Sequence, residues 1–101
     1  MDNPDWVKDH AVASGTRTVT VIYFARLKEA LGRGSERVAL PPAVETVAGL
    51  REHLRARGGA WEKELAAGRA VRAAVNQEMA EAATPVRDGD EVALFPPVTG
   101  G

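Results

Sequence analysis

The chain contains no cysteine and only two histidines, His10 and His53. The missing cysteine excludes a disulfide framework, a cysteine-ligated zinc and a thiol nucleophile, and it leaves the redox compartment open. The two histidines lie far apart without ligand-like spacing, so a metal site would need mainly carboxylates, and none is expected. No stretch approaches the ~20 apolar residues that cross a bilayer. No apolar run follows the charged first residues, as it would in a signal peptide. A cytoplasmic protein without a membrane role is the resulting expectation. An excess of one charge sign is missing too: 13 Lys and Arg against 14 Asp and Glu give a net charge of −1. The basic residues are scattered, which speaks against a nucleic-acid partner. No Ser/His/Asp set, HExxH, P-loop or Rossmann glycine pattern occurs. The GRGS string at residues 32–35 lacks both the spacing and the lysine of a phosphate loop and reads as a flexible link.

What is present fits one ordinary globular domain. The 101 residues are 45% hydrophobic and 27% charged, enough for a single core and no second one. From Thr18 to Phe24, TVTVIYF is β-branched and aromatic, a strand whose near-continuous apolarity predicts cover on both faces. Ala25 to Gly34 reads as a loop or short helical turn, and Glu36 to Leu40 alternates again until Pro41 and Pro42 stop it. A hairpin therefore opens the domain. Thr46 is a good N-cap for a helix with Val47, Leu50 and Leu54 on one stripe, and Gly58-Gly59 ends it. That stripe leaves Arg51, Glu52, Arg55 and Arg57 pointing outward. His53 falls on the helix flank as a solvated residue. A short second helix from Ala60 to Ala67 carries Trp61 and Leu65 on one side.

Val71, Ala73 and Val75 alternate as a third strand, and Asn76-Gln77 offers a turn into a weaker strand around Glu78–Glu81. Asp88-Gly89 is a strong turn signal before the closing strand Glu91–Phe95. Strands on both sides of one main helix predict an α+β arrangement, a mixed sheet with one face packed on that helix. Residues 1–16 read as a disordered extension, residues 17–95 as the domain, and residues 96–101 as an extended tail.

The tail carries the functional signal. Pro96 and Pro97 favour a stiff extended conformation, and six residues at ~3.3 Å each reach roughly 20 Å from the sheet. Val98 and Thr99 offer side chains to a grip, while Gly100 and Gly101 have none, so the terminal carboxylate fits a narrow channel. A terminal diglycine alone is usually silent; the rigid segment before it and the ubiquitin-like order of elements give it meaning.

The closing string DGDEVALFPPVTGG, residues 88–101, resembles the C-terminus of the molybdopterin synthase small subunit, a family of sulfur carriers. VTVIYFARLKEALG at residues 19–32, the helix TVAGLREHLRARG, the Trp61 region and AVNQ at residues 74–77 extend the resemblance across residues 17–101. It implies a β-grasp (ubiquitin-like) fold. It also implies that an E1-like enzyme uses ATP to adenylate Gly101, and that a sulfurtransferase replaces the adenylate to leave a thiocarboxylate. The tail then enters the synthase large subunit and passes sulfur to cyclic pyranopterin monophosphate, forming a dithiolene. The chain itself binds no cofactor and catalyses nothing alone. A carrier for thiamin, amino-acid or tRNA sulfur remains an alternative, as does a ubiquitin-like modifier or a structural module.

Two aromatic residues have double readings. Phe95 is out of phase with Val92 and Leu94, which turns it away from the helix toward the face the resemblance makes a docking surface. Phe24 stays open between core and docking. Arg26, Lys28 and Arg33 have the charge to steer an acidic partner, although exposed basic residues on a loop seldom do anything so specific.

Overall fold

The computed structural model describes residues 17–97. Residues 1–16 and 98–101, and with them the expectation for the N-terminal extension, lie outside the described residues. The alternation of TVTVIYF produces strand β1, Arg17–Tyr23, with Val19, Val21 and Tyr23 buried. Thr18, Thr20 and Ile22 on the other face are only half-buried. The expected cover on both faces is therefore wrong: β1 is interior because it has a strand on each side, while helices cover one face.

Helix α1, Ala25–Leu31, buries Leu27 and Leu31 and ends at Gly32, whose φ of 76° suits glycine. It joins β1 to β2, Ser35–Leu40, so the opening antiparallel pair contains a helix and not a bare link. Helix α2, Val47–Arg55, starts where the Thr46 hydroxyl accepts a hydrogen bond from the Gly49 amide at 3.1 Å. Its stripe of Val47, Leu50 and Leu54 is buried as the spacing predicts. Helix α3, Gly59–Leu65, adds buried Leu65. Strands β3, Arg72–Val75, and β4, Glu78–Ala80, are joined by Asn76 and Gln77 at φ 51° and 72°. Positive φ at both central positions is the hairpin geometry whose twist matches the strands. Strand β5, Glu91–Phe95, closes the sheet.

The sheet order is β2-β1-β5-β3-β4, with β1 and β5 parallel and the other neighbours antiparallel. One face packs on α2 and its companions through Val21, Leu50, Leu54, Leu65 and Val92, all fully buried. Each such leucine contributes roughly 1.5–3 kcal/mol by leaving water. This is the α+β arrangement that the order of elements predicts, and it agrees with the β-grasp fold that the resemblance implies.

Two arginines read as outward-facing are tethers. Arg51 donates to the Leu65 carbonyl at 2.9 Å, the Ala66 carbonyl at 2.6 Å and the Arg69 carbonyl at 2.8 Å, pinning the loop after α3 to α2. Arg57 turns back to Glu36, donating to Oε2 at 2.8 Å and Oε1 at 3.1 Å. The guanidinium of Arg57 also lies 4.4 Å from the Trp61 ring centroid, within cation–π range. His53 is half-buried on the flank of α2 and not fully solvated.

Glu36 is the hub of that cluster. The buried Tyr23 hydroxyl donates to its Oε2 at 2.6 Å, and Arg33 donates to Oε1 at 3.1 Å. Burial alone would raise the carboxyl pKa, but the bonds from Arg57 and Tyr23 and the charges of Arg57 and Arg33 outweigh it and lower it. Burial and then the Glu36 carboxylate push the Tyr23 phenol up, so it stays a donor. A carboxyl with a lowered folded-state pKa contributes stability that is complete above its ordinary value near 4.5 and is lost as pH falls through the folded value. The melting temperature of the wild-type chain should therefore drop more between pH 7 and pH 3 than that of Glu36→Gln. Equal drops in thermal scans would show that Glu36 contributes nothing to acid sensitivity.

Candidate functional site

Strand β5 sets the site, because the chain leaves its end toward the diglycine. Val92 and Leu94 are buried against the helices, and Glu91, Ala93 and Phe95 lie on the opposite face, half-buried. The phase argument for Phe95 holds. Register carries this open face across the sheet: Ile22 stands opposite Ala93, Ala93 opposite Ala74, and Ala74 opposite Met79. Met79 is 59% exposed, so the open face ends in a bare thioether side chain.

Phe24 follows the end of β1, and its amide donates to the Leu94 carbonyl at 3.1 Å, extending the parallel ladder by one step. Its backbone is extended at φ −119°, so the alternation puts it in phase with Ile22, away from buried Tyr23. At 48% exposure Phe24 is not core. Ala25 then turns the chain into α1 at φ 55°, a left-handed conformation that costs a non-glycine residue about 1–2 kcal/mol.

Pro96 and Pro97 are half-buried and line a cleft of about 350 Å³ with Arg26 and Leu27 of α1 and with Glu64 and Arg69. Thus Phe24, Phe95, Pro96 and Pro97 come together at one end of the sheet. Val98, Thr99, Gly100 and Gly101, the other expected site residues, lie outside the described residues. A larger groove, about 490 Å³, opens between α2 and the β3–β4 hairpin, and none of those four residues lines it. Among the described residues, no cluster of three or more His, Asp or Glu side chains is arranged to hold a metal, and no helix is long and apolar enough to cross a membrane.

The residues that sequence reasoning passed over are Met79 and Ile22, which extend the apolar patch, and Glu64 at the tail root. Met79 left a usable signal, a large apolar residue at the outward phase of a short strand. Glu64 left none, because a lone glutamate on a helix ordinarily faces water.

Residues 21–101 match the ThiS family. The chain is 42% identical over 83 residues to the molybdopterin synthase sulfur carrier subunit of Escherichia coli (strain K12), covering 82% of this chain and 99% of that protein. Its fold matches the crystal structure of SAMP1 from Haloferax volcanii with a TM-score of 0.69 and 29% identity, over 83% of this chain and 99% of that one. It also matches one chain in the complex of subunits 1 and 2 of the molybdopterin-converting factor from Helicobacter pylori, with a TM-score of 0.54 and 28% identity, over 83% of this chain and 99% of that one. The expected kinship with the small subunits of molybdopterin synthase is borne out, and the chain belongs to the ThiS family.

Proposed function

We propose that the chain is the sulfur-carrier small subunit of a molybdopterin synthase, with the carboxylate of Gly101 as its reactive group. The observation that carries this reading is structural. A core strand, β5, runs straight into Pro96 and Pro97, which stand at the same end of the sheet as exposed Phe24 and half-buried Phe95. The 42% identity to a sulfur carrier subunit supports it.

A carboxylate resists nucleophilic attack, so it must be activated first. In the proposed cycle an E1-like enzyme lets the Gly101 carboxylate attack the α-phosphorus of ATP, releasing pyrophosphate and forming an acyl adenylate. A sulfurtransferase then delivers sulfur to the acyl carbon, AMP leaves, and a thiocarboxylate remains. Inside the large subunit the thiocarboxylate sulfur attacks an oxygen-bearing side-chain carbon of cyclic pyranopterin monophosphate, and that oxygen leaves as the carbon–sulfur bond forms. Hydrolysis of the acyl–sulfur bond then returns the carboxylate and leaves the sulfur on the pterin. A dithiolene holds two sulfurs, so two charged carriers are consumed per product.

The role of this chain is delivery. Pro96 and Pro97 restrict the tail, Val98 and Thr99 give the partner side chains to hold, and Gly100 and Gly101 let it thread. Phe24 and Phe95, with Ile22 on the same face and Met79 at its far edge, supply the apolar surface on which the large subunit and the adenylating enzyme would seat. The likeness to SAMP1, a small archaeal modifier protein of Haloferax volcanii, favours a second reading as a protein modifier joined to lysines. Lysine conjugates of the chain in cells would support that reading.

Two measurements test the carrier. The thiocarboxylated chain, mixed with its large subunit, should convert the cyclic pyranopterin to the dithiolene without ATP, and the carboxylate form should bind equally and give no product. Removing Gly101 should abolish product while leaving the melting temperature unchanged; turnover by the truncated chain would overturn the assignment. Phe95→Ala should weaken association with the large subunit tenfold or more, since a buried phenylalanine is worth ~1.5–3 kcal/mol, and should lower the melting temperature only modestly. If Phe95→Ala unfolds the free chain and leaves binding intact, Phe95 serves the core.

A further inference from the structure

Glu64 belongs to α3, and its side chain is only 7% exposed. Two guanidiniums converge on its Oε1: Arg26 from α1 at 3.2 Å and Arg69 from the loop after α3 at 3.0 Å. The carboxylate thus ties together two of the elements that line the cleft alongside Pro96 and Pro97. Those elements are themselves fixed, because Arg51 holds the Arg69 carbonyl and Leu27 anchors α1 in the core. The cleft has a definite shape.

Its charge is unbalanced. The charged residues lining it are Arg26, Glu64 and Arg69, two positive and one negative, for a net +1. Two guanidiniums carry far more N–H donors than one carboxylate oxygen can accept. Arg26 keeps 55% of its side chain exposed and Arg69 keeps 38%, so the surplus donors open toward solvent at the tail root. A small anionic group entering there would take up that surplus without displacing Glu64, and planar guanidinium forks suit a carboxylate.

We propose that this cleft is a second docking point, which accepts an aspartate or glutamate side chain of the large subunit when that subunit grips the tail. The inference rests on the carrier reading above. Two observations select this occupant: the cleft complements a negative charge, and it is continuous with the tail because the prolines form part of its wall. Its task is to orient. The apolar patch gives adhesion that tolerates sliding, whereas a charge pair at the tail root fixes the angle at which the last residues enter the partner.

The test is calorimetric titration of the full chain with the large subunit of the same organism, in low salt and in about 1 M NaCl, where the screening length falls to about 3 Å. Arg26→Glu should bind about tenfold or more weakly than wild type at low salt, and the gap should close at high salt. Arg26→Lys should retain most of the affinity. If Arg26→Glu fails to fold, Arg26→Gln, which leaves Arg69 on Glu64, is read in the same way with a smaller loss. Wild-type affinity in both Arg26→Glu and Arg26→Gln would overturn the proposal while leaving the carrier reading intact. A loss that persists undiminished at high salt also overturns it, because a displaced tail root and not a lost charge pair would then be the cause. If the wild-type chain itself fails to bind the large subunit, the synthase reading fails and the cleft proposal falls with it.

Discussion

Strands β1 and β5 lie side by side in the middle of the sheet and run in the same direction, with Tyr23 opposite Leu94. Parallel neighbours cannot be joined by a tight turn, so the chain between them must cross over and return. Here the crossover contains every other element, including α2, whose buried leucines cover the sheet face. The pairing also decides where the candidate site lies. Because the two strands end together, the residue after β1 and the residues after β5 emerge at the same edge. Phe24, Arg26 and the start of α1 therefore stand beside Pro96 and Pro97. An antiparallel pairing would have put Pro96 and Pro97 at the opposite end, away from both the exposed aromatic residue and the charged cleft.

Such a pairing must be held in register, since a slip by one residue would exchange the buried and open faces of β5. Val92 would then meet water and Phe95 would enter the core. Short polar side chains prevent this. The Asp88 carboxylate accepts from the Thr18 amide at 2.8 Å, and the Gly89 amide donates to the Thr18 carbonyl at 2.8 Å. Asn76 accepts from the Glu91 amide at 3.0 Å and donates through its side chain to Asp90 at 2.9 Å. These contacts give the DGDE and AVNQ strings a physical meaning. They fix the first residue of β5 against β1 on one side and the β3–β4 turn on the other, and so fix which way Phe95 points.

What the sequence disclosed and what it concealed divide by the range of the interaction. The α2 stripe of Val47, Leu50 and Leu54, the Thr46 cap, the Asp88-Gly89 turn and the phase of Phe95 rest on neighbours within a few residues. Periodicity and local chemistry reveal them. The destinations of the arginines depend on partners brought close only by folding. Arg57 meets Glu36 from 21 positions away, and Arg17 reaches the Val44 carbonyl across 27. A helical wheel assigns Arg51 to solvent because it sees one helix and not the loop that packs across it. The covered-both-faces reading of β1 failed for a related cause. Thr18, Thr20 and Ile22 look like core by composition, yet among the described residues the helices lie on one side of the sheet, and the same side chains stay half-buried. For the candidate site, the prolines and the outward phase of Phe95 were legible, whereas Met79 and Glu64 joined it only through sheet register and helix packing.

The two acidic hubs separate structural charge from charge left for a partner. At Glu36, as at Glu64, two arginines share one carboxylate, so the counts alone do not distinguish them. Their surroundings do. Glu36 uses both oxygens, accepts the Tyr23 hydroxyl as well, and its Arg57 lies 4.4 Å from the Trp61 ring centroid, so carboxylate and ring together occupy the cationic groups. Arg33 lies 5.7 Å from the same ring centroid. None of those residues lines the cleft beside the prolines. Glu64 offers its two arginines a single oxygen, with no aromatic face against either among the described residues. A surface arginine pair held close together with so little compensation costs mutual repulsion, and cheaper ways of tying α1 to the α3 loop are available to a chain with apolar residues on both. An incoming carboxylate at the cleft that Pro96 and Pro97 line would relieve that repulsion.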